Sequence, residues 1–127
     1  MTDCLDSWAV LRWLEGVEPA ASRVESAMAS RAVMSWINLG EVAYIVERLA
    51  GEDRAREVVR ELRRRLALEL PMQARVLEAA HIKAGHSMAY ADAFALATAI
   101  AHKANLLTGD PEILDGTGRW PTEDLRR

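Results

Sequence analysis

The chain has 127 residues, half of them hydrophobic, with a formal net charge of −3 and a pI near 5.6. That is enough apolar material for one core of ordinary size without disulfides or structural metal, and the acidic balance argues against a sequence-independent electrostatic coat for DNA or RNA. The lone cysteine, Cys4, cannot close an internal disulfide, no leader-like segment opens the sequence, and no apolar run reaches the roughly 18 to 20 residues that cross a bilayer, so the expected setting is a reducing cytoplasm without a membrane partner.

Cys4-Leu5-Asp6 predicts a short strand with a polar end, and Ser7 then leads a helix whose apolar positions Trp8, Val10, Leu11 and Leu14 run to a stop at Gly16. Pro19 suits the first turn of a helix over residues 19–29, and Ala32 to Ile37 reads as a buried strand. A third helix is expected from Asn38, with Leu39, Val42, Ala43, Val46 and Leu49 at helical spacing and Gly51 closing it. Residues 53–66 repeat the pattern. Their outward arginines, Arg54 to Arg65, are interleaved with Glu57 and Glu61, which reads as an ion-paired, solvated face.

Residues 66–70 suggest a short strand and 73–84 an amphipathic helix ending at Gly85, after which Ser87 is expected to cap the next helix. Alanine at every odd position from 89 to 101 mimics a period of two, but alanine's helix propensity and the length of the segment decide for helix. Asn105 to Thr108 then reads as a buried strand and Gly109-Asp110-Pro111 as a turn. The tail from 116 to 127 carries no assignable element, with Trp120 as its anchor. Strands separated by helices predict an α/β domain whose parallel sheet is covered on both faces.

Asp92 is the anomaly in this pattern. It is the only charged residue between Ser87 and Ala101, in a helix expected to be buried on nearly every side. A carboxylate in such a place needs a cation, a metal ion or a proton. Three other acids occupy comparable places: Asp6 ends the first strand, Glu41 lies early in the helix after the second, and Asp110 follows the last. In an open parallel sheet the carboxyl ends of the strands form the rim where ligands bind. Carboxylates gathered there disfavour one another's ionisation unless a cation lies between them. Oxygen donors without a Cys or His cluster point to a hard ion such as Mg2+ or Mn2+, and so to phosphodiester chemistry. Taken singly, Asp6 is also explained as a helix cap, Glu41 as the partner of Asn38 in a capping box, and Asp110 as a turn residue. Asp92 has no such explanation.

These positions carry a resemblance to the PIN-domain family and, within it, to VapC-like ribonuclease toxins of type II toxin–antitoxin systems. The matching segments are Leu5-Asp6-Ser7-Trp8, Ser35-Trp36-Ile37-Asn38-Leu39-Gly40-Glu41-Val42, Tyr90-Ala91-Asp92-Ala93-Phe94-Ala95 and Leu107-Thr108-Gly109-Asp110-Pro111, in the family's order. The resemblance implies a three-layer α/β/α fold over residues 1–127 as a single domain and a metal-dependent endoribonuclease using Mg2+ or Mn2+. It also implies an RNA substrate, a homodimer and a cognate antitoxin that covers the site. Carried over, it makes Asp6, Glu41, Asp92 and Asp110 the catalytic, metal-binding acids, with Ser7 and Thr108 as hydrogen-bonding support. Asp115 is a candidate additional acid, although its spacing from Asp110 departs from the family pattern, as does the tail from Thr117.

Two other classes fit part of the pattern. A phosphoacceptor receiver-like domain shares the size, the parallel sheet and the acidic pocket, but it needs a lysine after its last strands, and the lysines here are Lys83 and Lys103, on or beside helices. A catalytically inactive PIN-like binding module has no use for all four acids. His81, His86 and His102 lack mutual ligand spacing and are read as structural or solvated. Trp8, Trp13 and Trp36 are read as packing rather than base-stacking residues, and Arg12 and Arg31 are only weak candidates for phosphate contact.

Overall fold

A computed structural model describes residues 2–127. Its elements in chain order are β1 (Thr2–Leu5), α1 (Ser7–Glu15), α2 (Ala20–Ala29), β2 (Val33–Ser35), α3 (Trp36–Ala50) and α4 (Glu52–Arg65). They continue with β3 (Ala67–Glu69), α5 (Gln73–Gly85), α6 (Tyr90–Ala101), β4 (Ala104–Thr108), α7 (Pro111–Leu114) and β5 (Thr122–Asp124). The five strands form one all-parallel sheet in the order β3-β2-β1-β4-β5. The expected α/β class with a central parallel sheet is therefore the observed one.

The alternation of side chains along the strands divides the core into two layers. Cys4 pairs in register with Leu106 and Leu5 with Leu107. Cys4 and Leu106 face a cluster built with α5 and α6, while Leu5 and Leu107 face the opposite cluster built with α1, α2, α3 and α4. Both faces of the sheet are thus covered, which gives three layers. Helix α6 lies deepest: residues 92 to 99 are all buried, against α5 on one side and against α3 and strands β1, β2 and β4 on the others. Its alanines permit that close approach. The helix leads directly into β4 and runs back along the sheet, so its first turn lies at the carboxyl edge.

Several local expectations are corrected. Strand β2 stops at Ser35, two residues earlier than the apolar Trp36-Ile37 pair suggested, because the Ser35 hydroxyl accepts from the Ile37 backbone N–H at 3.2 Å and starts α3 there. Asn38 is accordingly inside the helix and forms no capping box with Glu41. Ser87 does not cap α6, which begins at Tyr90 after an extended Ala89 with no side-chain cap. Asp110 does more than turn the chain, since its carboxylate accepts from the Glu112 N–H at 2.8 Å and caps α7, with Pro111 in its first turn. The unassigned tail supplies β5, whose residues Thr122, Glu123 and Asp124 pair with Leu106, Leu107 and Thr108.

Candidate metal centre

The reversal of strand order falls between β1 and β4, since the chain leaves β1 toward β2 on one side and returns to β4 on the other. In such sheets the crevice beyond the carboxyl ends at this point is the ligand site. Asp6 stands there, 2 % exposed, in an extended conformation that makes it the N-cap of α1. Its Oδ1 accepts from the Ala9 N–H at 2.8 Å and its Oδ2 from the hydroxyl of Thr108 at the end of β4. Burial pushes the Asp6 carboxyl up to about 7; the two hydrogen bonds hold it down in part, and the charges of Asp110 and Glu41 push it further up.

Glu41 reaches the same edge from α3 and accepts a hydrogen bond from the Ser7 hydroxyl. Ser7 and Thr108, expected to support the acids, thus each hold one of them. Asn38, one turn before Glu41, is buried, and its Nδ2 donates to the Ala91 carbonyl at 3.0 Å, tying α3 to the first turn of α6. Sequence reasoning assigned Asn38 to a cap and missed this tie. The available signal was its i, i+3 spacing from Glu41, which places both on one helix face.

Asp92 lies on that first turn, 6 % exposed, with its Oδ2 buried and without a hydrogen-bond partner. Burial is the main cause that raises its carboxyl above the ordinary range, followed by the charges of Asp110, Asp6, Glu41 and Glu112. The charges acting most strongly on Asp92 are therefore all negative. Oxygens of Asp92, Asp110 and Glu112 lie within 4.8 Å of one another. Glu112 was not foreseen. It was hidden because Asp110-Pro111 read as a plain turn, whereas the turn starts a helix that aims its first acid at the cluster. Asp6 and Glu41 stand outside this trio but adjoin it closely enough to act on Asp92. Thr108 joins the two parts, since its oxygen also accepts the Asp110 N–H at 3.0 Å.

The donor set fits a hard divalent cation: it is all oxygen, several carboxylates converge, and one buried carboxylate oxygen lacks any partner. Asp115 turns elsewhere, forming an ion pair with Arg126 at 3.1 Å. Lys103 precedes β4 and so lies at the amino edge of the sheet, and Lys83 is in α5, which leaves a receiver-type phosphoacceptor pocket without its cation. Arg12 is stacked 4.7 Å over Trp8 and paired with Glu15, and Arg31 donates to the Arg64 carbonyl. The arginines of α4 are largely paired as expected, Arg54 with Glu57, Arg56 with Glu52 and Arg64 with Glu61. Trp8, Trp13 and Trp36 pack against the core.

The model of the PIN domain family matches residues 4–117. Among solved structures, the fold is similar to DNA-bound VapBC from Salmonella typhimurium, with a TM-score of 0.78 at 19% identity over 98% of each chain. It is similar to VapBC-1 from nontypeable Haemophilus influenzae, with a TM-score of 0.71 at 20% identity over 100% of each chain. It is also similar to Mycobacterium tuberculosis VapC20, described as a sarcin-ricin loop cleaving toxin, with a TM-score of 0.71 at 16% identity, covering 87% of this chain and 91% of that one. No curated protein matches the sequence.

Proposed function

The chain belongs to the PIN-domain family, and from that premise we propose that it is a metal-dependent endoribonuclease, acting as a single domain and as the toxin of a toxin–antitoxin pair. The observation that carries the reading is the buried Oδ2 of Asp92, without a hydrogen-bond partner among the described residues and amid the charges of Asp110, Asp6, Glu41 and Glu112. A structural carboxylate would be capped, paired or removed, because an uncompensated buried charge costs several kcal/mol. Asp92 is kept in that state at the ligand-binding edge of the sheet.

In this reading Asp92, Asp110 and Glu112 hold Mg2+ or Mn2+, with Asp6 and Glu41 completing the acidic wall. When bound, the ion supplies Lewis-acid stabilisation of phosphate oxygens and lowers the pKa of water. The chain's part is to keep the donors in place. Thr108 fixes Asp6 and, through the Asp110 N–H, the start of α7, while Ser7 fixes Glu41 and Asn38 locks α3 to α6. The similarity to VapBC structures and to a toxin described as sarcin-ricin loop cleaving supports an RNA substrate and an antitoxin partner. A homodimer in the cytoplasm completes the proposal.

The test is incubation of the purified chain with end-labelled single-stranded RNA and Mn2+ or Mg2+. Cleavage that stops with EDTA and is absent in Asp92→Asn is expected. Wild-type-like cleavage by that variant rejects the assignment.

A further inference from the structure

Beside the acidic cluster, on the side formed by α7 and the loop before β5, lies a hollow of about 140 Å³ lined by His86, Ser87, Glu112, Thr117, Gly118 and Trp120. Glu112 belongs to both, so the hollow borders the carboxylates. Trp120 is only partly buried. Its ring meets His86 edge-on, with centroids 4.9 Å apart and planes at 68°. A side chain at position 118 would place its Cβ 2.2 Å from the indole, so only glycine lets the ring lie against the loop there. The same two aromatic residues also line a second hollow with His81, Ile82 and Gly85. Trp120 anchors the tail as expected, packed against the core cluster of α5, α6 and β4, and it also borders both hollows.

We propose that the smaller hollow receives one unpaired nucleobase of the RNA, adjacent to the phosphate that is cut, with Trp120 as its stacking platform. This deepens the ribonuclease reading and rests on it. Three features carry it. The hollow admits a planar ring but not a folded element, it shares Glu112 with the acidic cluster, and its lining pairs aromatic surface with the hydroxyl-bearing Ser87 and Thr117, whose side chains can hydrogen-bond base edges. The electrostatics agree: the chain is acidic and the site is a wall of carboxylates, so the chain's own grip on RNA must come from stacking more than from general charge.

The experiment digests a random-sequence single-stranded RNA pool with Mn2+ and the wild type, Trp120→Leu or Trp120→Phe, sequences the cut ends, and measures KM and kcat on one preferred oligonucleotide. Leucine keeps the apolar packing of Trp120 without an aromatic face, and circular dichroism confirms that both variants are folded. The wild type is expected to prefer particular bases at one position flanking the cut. Trp120→Leu should raise KM about 5- to 160-fold, the range that base stacking supplies, with kcat little changed and the preference flattened, while Trp120→Phe keeps the preference. A Trp120→Leu enzyme with wild-type KM and preference overturns the subsite and leaves the ribonuclease standing. A wild type that cuts no RNA removes both readings.

Discussion

The hydroxyl of Thr108 donates to Oδ2 of Asp6, joining the ends of neighbouring strands across 102 positions of sequence, and accepts the backbone N–H of Asp110 at 3.0 Å. One side chain at the end of β4 therefore sets the position of two acids that come from opposite ends of the chain. Thr108→Val keeps the shape and removes both contacts. It is expected to cost about 1.5–3 kcal/mol, the range for a hydrogen bond to a charged group. Urea unfolding at pH 7.5 measures it, and an unchanged midpoint would show that the hydroxyl holds nothing.

Asp92→Asn removes a buried carboxylate whose Oδ2 has no hydrogen-bond partner among the described residues. Without divalent ions the variant should be more stable than the wild type above pH 7, by about 1–3 kcal/mol, although it loses RNA cleavage. Greater stability with lost activity is the signature of a functional carboxylate. Thermal unfolding in EDTA reads the first half, and a variant less stable than the wild type at pH 8 contradicts it.

Stability should also depend on pH in a defined direction. A carboxyl whose pKa is raised on folding binds its proton more tightly in the folded chain, so it favours folding while protonated. For Asp6 and Asp92 that contribution is complete below about 4, the ordinary carboxylate value, and for Asp6 it is lost as pH rises through about 7. The metal-free protein should therefore lose stability from these groups between pH 4 and 7. Mn2+ should raise the melting temperature more at pH 8 than at pH 5, where protons compete for the same oxygens. Calorimetry at both pH values, with EDTA and with Mn2+, checks it; an equal Mn2+ effect at both would count against the cluster.

Gly109, between Thr108 and Asp110, is packed under Trp8: a Cβ there would lie 2.2 Å from the indole ring. Gly109→Ala must displace Trp8 or the loop that carries Asp110. The expected cost is about 1–3 kcal/mol, as for other overpacked sites, with a loss of metal affinity beside it. Trp8→Phe in the same chain should restore part of both, measured by urea unfolding and Mn2+ titration.

Much of this arrangement is legible in the sequence because it rests on strong local signals. The helical spacing of α3 and α4, the apolar run of α6 and the order Asp6, Glu41, Asp92, Asp110 each survive without tertiary knowledge. Strand β5 was not legible: Thr122-Glu123-Asp124 is too short and too polar to announce a strand, and it exists because β4 offers it an edge. The place of Glu112 depends on Asp110 being a cap and not only a turn, which a single side-chain hydrogen bond decides. Asn38 was misplaced for the converse reason. Ser35 reached the Ile37 N–H first, and the helix began two residues earlier than its apolar residues suggested.

The central claim is that Asp92, Asp110 and Glu112 form one divalent-cation site. Its most direct measurement is isothermal titration of the metal-free protein with Mn2+ at pH 8, run in parallel on Asp92→Asn, Glu112→Gln and Asp115→Asn. Saturable binding by the wild type and by Asp115→Asn, abolished in Asp92→Asn and weakened at least about tenfold in Glu112→Gln, is the predicted result. Indistinguishable titrations for the wild type and Asp92→Asn would contradict it.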